Sequence, residues 1–273
     1  MNNIIVPIDF SRQSEFALKA AAYLGNKHNA TIITVHMLEL SDAVFSSTDS
    51  QQAQQAVFFL KAAEKKLSGF LDKDYLEGIS VTAIVKPYKV FVELNKIAEE
   101  YASDLIVMGS NGSDGLEALF IGSNAEKVVR SAEIPVLVVK KDFEEFLIER
   151  FVFACDFKDE SLSAFQKALA FAELFSVAPY LVYINTPGDT FGSTAELQNR
   201  IQHFLQKACT QVEVVIYNDY SVEKGILNYG KSVGADLIGI PTHGRTGISR
   251  FFMGSIGEDV ANQAKIPVIT FKI

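Results

Sequence analysis

Four residues in the first half of the chain have the types and spacing of an anion-binding turn. Gly109 and Gly112 form the pattern G-x-x-G, and Gly122 and Ser123 follow after nine further residues. Glycines let the backbone take positive φ and approach a ligand closely, so that consecutive N–H groups can converge on an anion. Ser123 and Asn124 then begin a predicted helix, whose unpaired N–H groups also favour phosphate. The pattern indicates a polyphosphate site, and on spacing alone the alternative that these glycines only make turns stays open.

The second half of the chain repeats this pattern. The segment from Ala235 to Lys272 matches the segment from Ser103 to Lys140 at a constant offset of 132. The matched pairs are Asp104 and Asp236, Gly112 and Gly244, Gly122 and Gly254, Ser123 and Ser255, and Pro135 and Pro267. Such self-similarity predicts a duplicated domain.

The starts of the two halves match as well. The run NIIVPIDFS begins at Asn3 and the run RFVFACDFK begins at Arg150, which places Asp9 opposite Asp156. The offset here is 147, so the first half contains 15 additional residues, which we expect between residues 38 and 55 as a surface insertion. The predicted domains are residues 1–141 and 149–273.

Composition restricts the class of protein. A chain of 273 residues accommodates two domains with one hydrophobic core each. The net charge of −8 comes without a basic tract, which argues against nucleic acid and acidic membrane surfaces as partners. Cys155 and Cys209 are too few and too isolated for a disulfide framework or a metal site. No apolar run approaches the roughly 20 residues of a membrane helix, so we expect a cytoplasmic protein.

Short Val- and Ile-rich runs alternate with helical patterns in each half. This alternation predicts an α/β fold in which each half has a five-stranded parallel sheet with helices on both faces. Predicted strands in the first half are 4–8, 31–36, 80–85, 105–108 and 136–139, and Ser11 is the predicted N-cap of the first helix. Ligands of such sheets bind at the carboxyl ends of the strands, where Asp9 and Gly109 both belong.

Several of these runs together resemble the universal stress protein family. They are VPIDFS at 6–11, HMLE at 36–39, DLIVMGSNG at 104–112, the Gly122-Ser123 pair and IPVLVV at 134–139. The resemblance covers the chain as two tandem copies. It implies Rossmann-like domains of the adenine nucleotide alpha hydrolase type that bind ATP, ADP or AMP, with or without Mg²⁺. It also implies that the last strands of the two halves pair as an internal pseudo-dimer, and it leaves a homodimer open.

The resemblance implies one nucleotide site in the first half. Asp9 would lie by the ribose and adenine, Met37 would meet the adenine, and Asn111 stands where the family often has histidine. The implied site residues are Pro7, Ile8, Asp9, Met37, Met108, Gly109, Asn111, Gly112, Gly122, Ser123 and Asn124.

The second half departs from the family pattern. Pro241 takes the place of Gly109 and has no N–H to donate, and Ala154 takes the place of Pro7. A missing donor of this kind costs ~1–3 kcal/mol of binding free energy. We therefore expect a second site that is weak, altered or empty. Its candidate residues are Asp156, Ile184, His243, Gly244, Gly254 and Ser255.

The chain shows no catalytic pattern. Walker, dinucleotide, G-x-S-x-G and H-E-x-x-H motifs are absent, and no lysine lies in the first glycine turn. Phosphoryl transfer normally needs such a cation and a metal carboxylate. The sequence thus favours a nucleotide-binding stress-response regulator over an enzyme, with a nucleotide-free dimeric scaffold or a slow ATP-hydrolysing enzyme as alternatives.

Overall fold

A computed structural model of the protein describes residues 1–38, 50–87, 90–110, 123–188, 191–242 and 255–273. These residues form two compact units. The first lies within 1–118, 122–128 and 139–146, and the second within 129–138 and 147–273. Within the described residues, no helix has both the length and the apolar character needed to cross a membrane.

Strands and helices alternate along the chain, as the sequence predicts. The strands are β1 Asn3–Pro7, β2 Thr31–Leu38, β3 Val81–Pro87, β4 Leu105–Gly109, β5 Val136–Val139, β6 Phe151–Ala154, β7 Tyr180–Asn185, β8 Val214–Asn218, β9 Leu237–Thr242 and β10 Val268–Lys272. The described α-helices are α1 Arg12–His28, α2 Ser50–Phe70, α3 Val90–Glu100, α4 Ser123–Ser131, α5 Leu162–Phe175, α6 Thr194–Lys207, α7 Val222–Val233 and α8 Ser255–Gln263. Short 3₁₀ turns lie at Asp74–Leu76 and Asp159–Ser161.

The first unit contains four parallel strands in the order β3-β2-β1-β4. The central strand β1 pairs Ile4 with both Ile32 of β2 and Leu105 of β4. Its residues Ile4, Ile5 and Val6 are fully buried, which explains the continuous apolar run that a strand covered on both faces requires. The carboxyl ends of these strands form one rim, which carries Asp9 and Gly109.

The second unit contains six strands in the order β5-β10-β9-β6-β7-β8. Five of them, from β10 to β8, are mutually parallel. Strand β5 pairs antiparallel with β10, with Val138 opposite Val268. The last strands of the two sequence copies therefore pair with each other, and their apolar residues are buried in this ladder instead of forming exposed edges.

One carboxylate fixes the start of the central strand in each unit. Asp104 Oδ2 accepts hydrogen bonds from the backbone N–H groups of Asn2 and Asn3. Asp236 Oδ2 accepts them from Arg150 at 2.9 Å and from the preceding N–H of Glu149 at 3.1 Å. Because the donors are backbone groups, this contact persists although the donor residues differ between the copies.

The core of the second unit is packed around aromatic rings. Phe151 and Phe153 of β6 contact Phe171 and Phe165 of α5, with ring centroids 5.9 and 6.1 Å apart. Gly239 of β9 makes this possible, since a Cβ at that position would lie 2.6 Å from the Phe151 ring. A real Cβ does not approach that closely, so the aromatic layer requires glycine here.

We predict that Gly239→Ala destabilises the second unit by about 1–3 kcal/mol, because the added methyl group displaces two packed rings. Gly69→Ala is the matched control. A Cβ on Gly69 in α2 would meet nothing within 4 Å, so this change is neutral or stabilises by up to about 1 kcal/mol. Far-UV circular dichroism during urea denaturation measures both, since the chain has no tryptophan. Equal midpoints for the two variants would contradict the packing argument.

Candidate functional site

Asp9 lies at the carboxyl end of β1 and is exposed. Its Oδ1 accepts a hydrogen bond from the Ser11 N–H at 2.9 Å, which forms a tight turn into α1. Ser11 is the N-cap of α1, as predicted, and its Oγ accepts from the Ser14 N–H at 3.1 Å. Among the residues that the structure describes, no hydrogen-bond donor contacts Asp9 Oδ2. One carboxylate oxygen thus holds the turn, and the other has no donor among the described residues.

Phe10, the next residue, has left-handed backbone with φ of +66°. For a bulky residue this conformation costs about 1–2 kcal/mol, so side-chain contacts must stabilise it. The ring lies 4.4 Å from the His36 ring and 5.6 Å from the Phe70 ring, measured between centroids. The Lys66 ammonium lies 4.1 Å from the centroid of the same ring, which adds a cation–π contact.

His36 of β2 ties the turn to the sheet. Its Nδ1 donates to the Ile8 carbonyl at 2.7 Å; a carbonyl can only accept, so Nδ1 carries the hydrogen. The Ile8 N–H in turn donates to the Val35 carbonyl at 2.8 Å. Met37 follows His36 and is half-buried at the same rim. The sequence predicts His36 only as a strand-end side chain, because nothing in the local pattern reveals its partner.

Position 109, at the end of β4, must be glycine because α1 lies too close to leave space for a side chain. A Cβ there would lie 2.6 Å from both the backbone carbon and the carbonyl oxygen of Gln13. The glycine therefore has a packing reason that is separate from any ligand. A substitution at Gly109 would move the backbone of α1, so its effect on ligand binding would not report on a direct contact.

Two polar atoms beside this glycine have no hydrogen-bond partner within the described part of the chain. Gln13 Oε1 and Ser110 Oγ are both buried, and Ser110 is only 1% exposed. The Ser110 backbone is held separately, because its N–H donates to the Val139 carbonyl at 3.1 Å. Buried polar atoms are normally satisfied, so these two are candidates for contact with a ligand at the rim. No sequence pattern identifies Gln13, since its position follows from the packing of α1 on β4.

The other predicted residues of the first site are placed as follows. Pro7 ends β1 and is half-buried, whereas Ile8 and Met108 are buried in the apolar layer next to the rim. Asn124 is exposed in the first turn of α4, which begins at Ser123. Asn111, Gly112 and Gly122 lie outside the described residues, as do His243, Gly244 and Gly254 of the second half. Ser255 is the first residue of α8.

The counterpart of Asp9 in the second unit is buried. Asp156 is 3% exposed, and its Oδ1 accepts hydrogen bonds from Ser161 Oγ at 2.7 Å and from the Lys158 N–H at 3.2 Å. The Lys158 ammonium lies 3.5 Å from Oδ2. The next residue, Phe157, repeats the left-handed conformation of Phe10 with φ of +51°. The turn is thus duplicated, but its carboxylate is enclosed.

Little space remains beside Asp156. The cavity there has a volume of about 10 Å³, which corresponds to about one water molecule. It is lined by Ala154, Cys155, Asp156, Tyr183, Ile184, Val222 and Ile226. Tyr183 stands where the first unit has His36, and Ile184 is buried. An adenine ring cannot enter a cavity of this size.

The approach between strand and helix also differs in the second unit. Pro241 is buried within β9 at the position of Gly109. The segment that follows β6 begins with the 3₁₀ turn Asp159–Ser161, and α5 starts only at Leu162. In the first unit the corresponding segment is already α-helical from Arg12. The residue at the strand end and the start of the helix that follows the carboxylate turn, which lie in close contact in the first unit, therefore both differ in the second unit.

Comparison with known proteins agrees with this duplicated architecture. The profile described as "Universal stress protein family" matches residues 1–140 and again residues 148–272. The chain belongs to the universal stress protein family. It is 30% identical over 152 residues to the universal stress protein MJ0531 of Methanocaldococcus jannaschii, covering 52% of this chain and 84% of that protein. It is 25% identical to the universal stress protein Slr1230 of Synechocystis sp. over the full length of both chains.

Solved structures of universal stress proteins share the fold across the chain. One from Archaeoglobus fulgidus has a TM-score of 0.69 at 21% identity and covers 99% of this chain and 96% of its own. A putative universal stress protein from Pseudomonas aeruginosa has a TM-score of 0.70 at 17% identity, covering 100% of this chain and 93% of its own. The tandem α/β architecture predicted from the sequence is confirmed.

The thiols of this universal stress protein test whether the second rim is closed. Burial raises the pKa of the Cys155 thiol, and the adjacent Asp156 carboxylate raises it further, whereas Cys209 is exposed. We predict that about one thiol per chain reacts quickly with Ellman's reagent at pH 8 and about two react in denaturant, because reaction requires an accessible thiolate. Cys209→Ser should abolish the fast phase and Cys155→Ala should leave it. Fast reaction of Cys155 in the folded protein would show that the second rim is open.

Proposed function

We propose that this protein binds an adenine nucleotide, such as ATP, ADP or AMP, at the rim of the first unit and acts as a cytoplasmic stress-response regulator. The observation that carries the proposal is the contrast between two matched carboxylates. Asp9 is exposed and its Oδ2 has no donor among the described residues, whereas Asp156 is buried beside a cavity of about 10 Å³. In this proposal the first rim receives the ligand, whereas the side chains around Asp156 leave too little space for one.

The polar groups at the first rim suit a nucleoside phosphate. Asp9 Oδ2 is an acceptor, which matches the donor hydroxyls of a ribose. Met37 offers a half-buried apolar surface for a base. Asn124 is exposed in the first turn of α4, and the N-terminal turn of a helix favours phosphate. The buried oxygens of Gln13 and Ser110 support a polar occupant at the same rim.

A magnesium ion would fit this proposal only as a companion of the nucleotide. Across the described ranges, no group of three acidic, histidine or cysteine side chains could hold a metal. Asp9 contributes a single carboxylate, and one of its oxygens already accepts from Ser11. Mg²⁺ commonly binds through substrate phosphates, one or two carboxylates and water, so Asp9 could complete such a set.

In this proposal the second unit has a structural role, which is to pair the last strands of the two sequence copies. It contains the β5–β10 ladder and keeps the Asp156 turn as a structural feature. The two alternatives make different predictions for the purified protein. A nucleotide-free scaffold would neither retain nor bind adenine nucleotides, and a slow enzyme would release ADP from ATP above the level of a protein-free blank.

We predict that the purified protein binds about one adenine nucleotide per chain, because the cavity of about 10 Å³ beside Asp156 is too small for a nucleotide. Denaturation followed by mass spectrometry identifies any retained nucleotide, and calorimetric titration with ATP, ADP and AMP gives the stoichiometry. Two equivalent sites would contradict the closure of the second rim. If none of the three nucleotides binds, the nucleotide-free scaffold becomes the favoured function.

A matched pair of variants tests the role of Asp9 Oδ2. Asp9→Asn keeps an oxygen for the Ser11 N–H but replaces the second acceptor with a donor, so ATP affinity should fall by about tenfold. Asp156→Asn, the control, should leave ATP affinity unchanged because Asp156 is enclosed. Calorimetry measures both. An equal loss in the two variants, or none in Asp9→Asn, would contradict the assignment of the site.

A further inference from the structure

The residue after the carboxylate has the same unusual conformation in both units. Phe10 and Phe157 both have left-handed backbone, with φ of +66° and +51°. Side chains of this size rarely adopt that region, and such outliers concentrate where the backbone has a task. Each of these residues follows the carboxylate of its unit, so the conformation belongs to the duplicated turn.

The left-handed residue brings the chain back onto the carboxylate. In the first unit the Ser11 N–H reaches Asp9 Oδ1 at 2.9 Å, and in the second the Lys158 N–H reaches Asp156 Oδ1 at 3.2 Å. If residue 10 relaxed to ordinary extended backbone, the N–H of residue 11 would point elsewhere. The direction of Asp9 Oδ2 therefore depends on the conformation of Phe10.

Ring contacts hold Phe10 in this conformation. The ring is placed between His36 and Phe70, and the Lys66 ammonium covers it at 4.1 Å from the centroid. His36 is itself fixed by its hydrogen bond to the Ile8 carbonyl, one residue before Asp9. His36 thus contacts both the Ile8 backbone before the carboxylate and the Phe10 ring after it.

The second unit differs in how its carboxylate is held. There Ser161 Oγ donates to Asp156 Oδ1 at 2.7 Å in addition to the backbone N–H, and Lys158 lies nearby. Asp9 accepts only from the Ser11 N–H among the described residues. Phe157 packs against Phe165 and Phe204, but the direction of its carboxylate has a second support.

From these contacts we infer that Phe10 is a positioning residue: its ring, held by His36, Phe70 and Lys66, fixes the Asp9 turn so that Oδ2, which no described donor contacts, is directed toward the ligand. This inference rests on the proposed nucleotide site. Phe10 does not need to touch the ligand. Its effect on binding is transmitted through Asp9, which separates this role from that of a direct contact.

Phe10→Gly is the informative variant, because glycine accepts the left-handed conformation without strain and removes only the ring that selects it. ATP affinity should fall by about tenfold, as for the loss of one well-aligned hydrogen bond. Phe10→Tyr keeps the ring and should bind ATP within about twofold of the wild type. Phe157→Gly is the matched control and should leave ATP affinity unchanged.

A double-mutant cycle with Asp9→Asn distinguishes positioning from a general loss of structure. If Phe10 acts through Asp9, Phe10→Gly should weaken ATP binding no further in the Asp9→Asn background. Circular dichroism and the urea midpoint confirm that each variant is folded, and Phe10→Asn, which also tolerates left-handed backbone, replaces the glycine variant if that one unfolds.

The outcomes separate the two proposals. Absence of ATP binding to the wild-type protein would overturn the proposed function, and this inference with it. Binding by the wild type that is unchanged by Phe10→Gly, or losses that add fully in the double variant, would overturn the positioning role alone. The expected result is that Phe10→Gly weakens ATP binding when Asp9 is present but not in the Asp9→Asn variant, and that Phe10→Tyr binds ATP normally.

Discussion

The rim of the first unit depends on how closely the end of β4 approaches the start of α1. The backbone of Gln13 occupies the space where a side chain at position 109 would begin, so only glycine allows the helix to start there. This approach buries the oxygens of Gln13 and Ser110 beside the strand end. It also lets α1 begin directly after the Asp9 turn, with Ser11 as its N-cap. Two buried oxygens without a hydrogen-bond partner among the described residues are the consequence.

The second unit has the same order of strands and helices but lacks the glycine that allows this close approach. Asp236 holds the start of its central strand in the way that Asp104 holds the start of β1 in the first unit. The phenylalanine after its carboxylate also has left-handed backbone. However, proline replaces the glycine, a 3₁₀ turn precedes the helix, and Asp156 is enclosed by Ser161 and Lys158. Duplicated residues can therefore keep their structural contacts after the space beside them has closed.

Much of the fold could be predicted from the sequence, because it follows from local patterns. Buried Val- and Ile-rich runs gave the strands to within about two residues, and Ser11 identified the start of α1. Other features could not be predicted in this way. The role of His36 depends on a carbonyl 28 positions away in sequence, and the phenylalanines carry no local signal for left-handed backbone. Periodicity reports burial, whereas these features arise from contacts between elements.

By itself, the sequence determined the duplication, the alternation of strands and helices, and the family, since all three are carried by residue order and spacing. It also indicated that the second half is altered, because proline cannot donate an N–H. Only the tertiary structure decided that Asp9 is exposed and Asp156 buried, that Gly109 has a packing role, and that the ring of Phe10 is held by His36 and Phe70. The physical reason is that burial and close approach depend on which elements pack together, and residues with identical local sequence signals can therefore have different surroundings.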